Sequence, residues 1–153
     1  MLAHVIFLGF SYPLFIVPTL RATKKCMKIS TALYGRAHYK NGPANAFRHA
    51  LWNYLIAKEC NKWSKNQNRV LNWTQKITDW HEMAFPNWHL ARLMDLHNNQ
   101  VGQEFFKTNQ TKTETKAIEL LKTMATGSIL ITANTNLTSL ENSLVHITEK
   151  DER

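Results

Sequence analysis

The sequence predicts an all-α fold, a single compact helical domain with an apolar, basic N-terminal segment. Three observations lead to this prediction. The chain has 153 residues, 44% of them hydrophobic, which is enough to bury one core without disulfides or a structural metal. It contains only five glycines and four prolines, and strict alternation of apolar and polar residues is rare. Apolar residues instead recur at helical spacing in several stretches.

The N-terminal segment, residues 1–28, begins with a run of twenty mostly apolar residues. No basic residue precedes the run and no clear small-x-small cleavage site follows it, so a cleavable signal peptide is not indicated. Pro13 and Pro18 interrupt the run, whose length is marginal for a membrane span. Three interpretations stay open: an anchor at the membrane interface, a segment packed on the domain's own core, and a true span. Residues 29–148 are predicted to form the helical domain.

Charge is unevenly distributed along the chain. The net charge is +8, and residues 1–58 contain eight basic residues and no acidic one, whereas the remaining eleven basic residues are balanced by eleven acids. A basic region beside an apolar run predicts contact with an anionic membrane surface. Nucleic acid is a weaker candidate partner, because no nucleic-acid-binding motif accompanies the basic residues. The same charges predict a cytoplasmic protein, peripheral to or anchored at the inner membrane.

Helix start and stop residues divide the chain into segments. Proline at a first helical position and glycine after a last one mark such boundaries. Residues 128–132 fit either a helix or a strand, and Leu137, Leu140 and Leu144 predict a final helix. The other predicted helices cover residues 19–35, 43 to about 63, 70–86, 86–107 and 113–126.

Three consecutive predicted helices each place a chemically active side chain where a core residue is expected. These side chains are His49, His81 and Asp95. Neutral imidazole and carboxylate groups suit a divalent metal such as zinc, manganese or iron, so these residues are the predicted ligands. Glu82 follows His81 directly and is a candidate to activate a metal-bound water. No second histidine lies four residues on, so this is not the HExxH pattern of zinc proteases.

Neighbouring polar residues complete the predicted site. Arg48 and Arg92 are candidates to stabilise developing negative charge. Helical geometry directs His97 roughly 160° away from Asp95, which suits a supporting or a structural role. The predicted supporting residues are Asn53, His97, Asn98 and Asn99.

The segments AFRHALWN at 46–53, TDWHE at 78–82 and MDLHNNQVG at 94–102 occur in this order. As a set they resemble an uncharacterised bacterial domain family with an AFRHA-x-W segment, a His-Glu pair and an MDLHNN segment. The resemblance covers roughly residues 41–106, and the N-terminal pattern is similar to small members from Bacteroidetes-like bacteria. It implies a bacterial origin and a helical domain, and it brings no established activity.

The predicted function is that of a metal-dependent hydrolase acting on phosphoesters or phospholipid head groups near a membrane. In ligand type and helical context the residues look like those of HD-type phosphohydrolases and zinc-dependent phospholipases C, although Glu82 stands where an HD motif has aspartate. Acid–base catalysis by His49 and His81 without a metal also fits. One alternative is a non-catalytic helical module that binds a membrane or a partner, with a structural network of buried polar groups. Another is a toxin-like nuclease.

Overall fold

Five α-helices make up most of the described chain. The structure, a computed structural model, describes residues 9–148. The all-α prediction is confirmed, and the helix boundaries lie within a few residues of the predicted ones except at the start of the first helix. The helices are α1, Pro13–Tyr34; α2, Pro43–Asn61; α3, Gln67–Ala84; α4, His89–Thr108; and α5, Glu114–Thr126.

Helix α1 begins six residues earlier than predicted and takes in part of the apolar run. Pro13 occupies an N-terminal helical position, where the missing N–H needs no intrahelical partner. The helix ends at Tyr34, and the next residue, Gly35, has a φ of +56°, which favours glycine. Phe15, Ala22 and Cys26 on its inner face are buried in the core. Residues 13–20 are therefore part of a helix that packs on the domain.

The helices within residues 9–148 differ from membrane-spanning helices. Within that range, no helix combines the length and the apolar character that a bilayer crossing requires. The first eight residues of the predicted N-terminal segment lie outside the described range.

Helix α2 is the centre of the fold, because α1, α3, α4 and α5 all pack against it. Most of its residues are buried, including Phe47 and Leu51. The buried set also contains Asn45, His49 and Asn53, which are spaced four residues apart and share one face. Three buried polar side chains in a row on a core helix require partners. The side chains around this face form the candidate site.

The C-terminal part of the described chain differs from the prediction. The final helix predicted from Leu137, Leu140 and Leu144 is absent from this part of the structure. Its place is taken by a short 3₁₀ helix, Leu137–Leu140, and a two-residue strand, β2, Val145–His146. Strand β2 pairs in parallel with β1, Ile129–Leu130, which settles the open assignment of residues 128–132.

Two residues of the predicted site hold this C-terminal segment in place. The Asn98 amide donates to the carbonyl of Val145 and accepts from the N–H of the same residue, each at 2.9 Å. The His97 Nε2 atom donates to the carbonyl of Ser143 at 2.9 Å. These side chains satisfy backbone groups that a helix would have paired internally, which is the physical reason for the difference from the prediction.

Candidate metal centre

The crossing of α2 and α4 creates the candidate site. Gly102 of α4 lies directly against the backbone of Ala50 in α2. A Cβ atom at position 102 would lie 2.7 Å from the Ala50 Cα atom, which is closer than side-chain atoms pack. Glycine permits this approach because it has no Cβ. As a result, polar side chains earlier on α4 reach those of α2.

His49 is held by two hydrogen bonds that define its protonation. The Arg48 guanidinium, which can only donate, lies with Nη2 2.8 Å from His49 Nε2. Nε2 therefore carries no proton, and the Nδ1–H group donates to Asn99 Oδ1 at 3.0 Å. Burial and the Arg48 charge lower the pKa of His49 to about 4. The imidazole is neutral at pH 7, as a metal ligand must be.

Two carboxylates flank this imidazole. Asp95 Oδ1 lies 3.2 Å from His49 Nε2, and Glu82 Oε1 lies 3.7 Å from His49 Nδ1. All three side chains are 4–6% exposed. One ligand atom from each residue can be chosen so that all three lie within 4.8 Å of one another. An imidazole and two carboxylates at this spacing form a donor set suited to a divalent cation.

Burial has a clear electrostatic effect on the carboxylates. It raises the pKa of Asp95 to about 7, against the opposing effects of the Arg48 charge and a hydrogen bond from Asn87. It also raises the pKa of Glu82, and the negative charge of Asp95 adds to this increase. A further positive charge nearby would favour the ionised form of both groups.

Two buried side-chain oxygen atoms on α2 and α4 lack hydrogen-bond partners among residues 9–148. One is Asp95 Oδ1, which is close to Nε2 but finds no proton there, because Nε2 already accepts from Arg48. The other is Asn45 Oδ1, one helical turn before His49 on the same face of α2. Unsatisfied buried acceptors are rare and costly, and a bound cation would satisfy them.

An amide network fixes the positions of the imidazole and one carboxylate. Asn99 Nδ2 donates to Glu82 Oε1 at 3.2 Å, while its Oδ1 accepts from His49 and from Asn53. Asn53 Oδ1 in turn accepts from Gln103 and Thr78. Asn99 thus holds two candidate ligands at once, the role that supporting residues play in metal sites.

The chain matches the model of a domain of unknown function, DUF6973, over residues 6–129, which include all five helices and all the residues of the site. The chain belongs to the DUF6973 family. No curated protein and no solved structure matches it. The prediction of an uncharacterised domain family is thereby confirmed.

The DUF6973 domain brings together most of the residues predicted for the site. His49, Asp95 and Glu82 meet, with Glu82 in the three-residue group in which we expected His81. Arg48, Asn53 and Asn99 contact members of this group.

The other predicted residues lie elsewhere in the domain. The His81 ring packs against Trp52 and Phe85, with centroids 5.1 and 4.9 Å away. Arg92 is exposed and lines an open groove together with Asp79. His97 and Asn98 bind the C-terminal segment, as described above.

Sequence reasoning missed the roles of Asn45 and Gln103. Each lies one helical turn from a residue that was identified: Asn45 precedes His49, and Gln103 follows Asn99. This four-residue spacing of polar residues along a buried face was the available signal.

A polar groove gives access to one side of the network. Its volume is about 930 Å³, and it is lined by α3, α4 and the C-terminal segment. Asn99 and Gln103 are shared between the groove and the amide network. The wall carries both signs of charge, with Lys107 paired to Glu104. A substrate in this groove would contact the residue that supports His49 and Glu82.

Proposed function

We propose that this protein is a divalent-metal-dependent hydrolase of phosphoesters, with the metal held by His49, Glu82 and Asp95. The observation that carries the proposal is the meeting of these three buried side chains, whose ligand atoms lie within 4.8 Å of one another. Three protein ligands leave coordination positions for water and substrate, as in catalytic zinc sites.

The spacing of the ligand atoms supports a shared cation. Two ligands bound to one zinc at about 2.0–2.1 Å in a tetrahedral arrangement lie roughly 3.3 Å apart. His49 Nε2 and Asp95 Oδ1 lie 3.2 Å apart. Nε2 keeps its lone pair as a ligand atom, because the proton of the neutral imidazole is on Nδ1, which donates it to Asn99.

Arg48 has a specific part in this proposal. Its guanidinium now occupies the lone pair of Nε2, so metal binding requires the side chain to swing away. Arg48 is only partly buried, which gives it room to do so. A guanidinium displaced by a metal but still beside it is well placed to bind a phosphate oxygen.

The metal would supply Lewis-acid activation of a phosphoryl oxygen and a water of lowered pKa as nucleophile. The protein residues then have defined roles. Asn99 keeps His49 and Glu82 in position, and Arg48 neutralises the charge that develops on the phosphoryl group.

A non-catalytic helical module is the second candidate, favoured by one observation. The Arg48 guanidinium already pairs with His49 and lowers the pKa values of Asp95 and Glu82. An internal cation of this kind can replace a metal in a purely structural network.

Hydrolysis of chromogenic phosphate monoesters and diesters distinguishes the two candidates. After chelator treatment, we expect activity to appear only on addition of zinc or manganese. His49→Ala and Glu82→Gln should each lower it more than about a hundredfold, beyond the loss typical of a residue that only supports a ligand. His89→Ala, at an exposed histidine at the start of α4, is the matched control and should retain activity. Hydrolysis that is independent of metal, or absent under all conditions, would contradict the proposal.

A further inference from the structure

The outer, exposed face of α1 carries apolar side chains in its first half and basic side chains in its second half. Residues 14, 17, 21, 24 and 28 follow the alternating three- and four-residue spacing that places side chains on one side of a helix. All five are exposed. The first two are Leu14 and Val17, at 54% and 50% exposure, and the last three are Arg21, Lys24 and Lys28. We call this set the outer stripe.

An apolar pocket opens beside the outer stripe. Its volume is about 290 Å³, near the lower end of the range for small-molecule sites of roughly 300–1,000 Å³. Trp52, Trp73 and Trp80 line it from α2 and α3, and Ile16 and Leu20 line it from α1. We call it the tryptophan pocket.

The polar groups around the tryptophan pocket are largely used within the fold. Trp52 Nε1 donates to Thr23 Oγ1 at 2.9 Å, and Trp73 Nε1 donates to Thr19 Oγ1 at 2.8 Å. His81 also lines the pocket, with its ring against Trp52. The indole faces and aliphatic side chains that make up most of the lining favour an apolar occupant.

The mouth of the pocket and the outer stripe share one surface. Ile16 and Leu20 line the pocket and are also exposed, at 39% and 57%. Leu20 follows Val17 by three residues and precedes Lys24 by four, the spacings at which side chains are neighbours on a helix surface. The pocket mouth therefore adjoins both the apolar and the basic half of the stripe.

We infer that α1 lies on an anionic phospholipid surface, with one lipid acyl chain entering the tryptophan pocket and the basic half of the outer stripe facing the head groups. An apolar pocket mouth beside a row of cations is complementary to an anionic lipid, because the apolar chain can enter the pocket while the attached charged head group meets the cations. A second copy of the chain is a poor occupant, because α1 contains no acidic residue and its cations would face one another. This inference does not depend on the metal centre.

Vesicles with bromine on the lipid chains test the inference, because bromine quenches tryptophan at short range. The chain has five tryptophans, and replacing Trp63 and Trp88, which are exposed elsewhere, with phenylalanine leaves the three of the pocket. In chelator, so that the metal centre has no part in the result, we expect strong quenching by brominated phosphatidylglycerol and little by brominated phosphatidylcholine.

Two variants and their controls separate the pocket from the basic residues. The double variant Arg21→Glu and Lys24→Glu should weaken binding to phosphatidylglycerol about tenfold or more, whereas Lys116→Glu with Lys122→Glu, exposed on α5, should not. Leu20→Glu should remove the quenching, and Leu33→Glu, 40% exposed on the last turn of α1, should keep it. All four variants change exposed residues, and circular dichroism checks that they stay helical.

Three results would overturn the inference. The first is equal binding to both lipids or to neither. The second is quenching that survives Leu20→Glu. The third is a concentration-dependent dimer that the double charge variant abolishes, which would make the stripe a contact between copies of the chain.

Discussion

Gly102→Ala will lower the free energy of unfolding by about 2 kcal/mol or more, because overpacking a tight contact typically costs 1–3 kcal/mol. The added methyl group would meet the backbone of Ala50, including its carbonyl oxygen, and a backbone cannot turn aside as a flexible side chain can. The helices α2 and α4 would have to separate. The separation would also pull His49 away from Asp95 and Asn99, so metal binding should weaken together with stability. Urea denaturation measures the first effect, and metal titration measures the second.

Gly127→Ala is the matched control. Gly127 follows α5 with a φ of −91°, and a Cβ there would make only an ordinary contact, 3.7 Å from the Thr123 carbonyl oxygen. Alanine should leave stability unchanged or raise it by up to about 1 kcal/mol, through a smaller entropy of the unfolded chain. Equal stability of the Gly102→Ala and Gly127→Ala variants would show that the α2–α4 crossing is looser than described.

Asp95→Asn will stabilise the metal-free protein at pH 8. Burial raises the pKa of Asp95 from 3.8 to about 7. A carboxyl whose pKa is raised on folding contributes fully below its unfolded pKa, and the contribution is lost as the pH rises through the folded pKa. The wild type should therefore lose stability relative to the variant between about pH 4 and pH 7. The difference above pH 7 should be on the order of 4 kcal/mol, since the pKa rises by about three units and each unit corresponds to about 1.4 kcal/mol.

The Asp95 experiment needs chelator and a series of pH values, with the free energy of unfolding measured for both proteins at each. Glu119→Gln, at an exposed carboxylate on α5, is the control and should follow the wild type. A destabilised Asp95→Asn protein at pH 8 would mean that the ionised carboxylate supports the fold, as the structural-network interpretation requires. A carboxylate that weakens the fold until a cation binds is the pattern expected of a functional residue.

The helices were predictable because their signals are local. Pro43 begins α2, Gly35 follows α1 and Gly127 follows α5, each as expected from the geometry of proline and glycine. The start of α1 was harder to predict, because the apolar run before residue 19 suits a membrane anchor as well as a helix packed on a core. The packing of Phe15 in the core shows that residues 13–20 belong to a helix of the domain, and this is a tertiary contact that the local sequence does not reveal.

The choice between His81 and Glu82 shows where local reasoning stops. Adjacent residues on a helix point about 100° apart, so only one of the two can face the α2–α4 crossing. We placed His81 there because it lies at the centre of the apolar stripe of α3. The stripe instead faces the tryptophans near α1, where His81 contacts Trp52, and Glu82 at its edge reaches Asn99. The rotation of α3 about its axis is set by its neighbours.

The C-terminal segment was the least predictable part of the described chain. Three leucines at helical spacing favoured a helix, and β2 has only two residues. Its structure depends on the side chain of Asn98, 47 residues earlier, which hydrogen-bonds the backbone of Val145. Sequence reasoning placed Asn98 among the supporting residues of the site because it could not distinguish an amide that binds distant backbone from one that orients a metal ligand.

Metal titration of the full chain, by calorimetry with elemental mass spectrometry, tests the central claim most directly. We predict one zinc or manganese ion per wild-type chain, with proton release below pH 7 because Asp95 must ionise to bind it. His49→Ala and Asp95→Asn should both abolish binding while circular dichroism stays helical. His81→Ala should retain binding, which makes it the matched histidine control. A wild type that binds no metal, or one whose binding survives His49→Ala, would contradict the account.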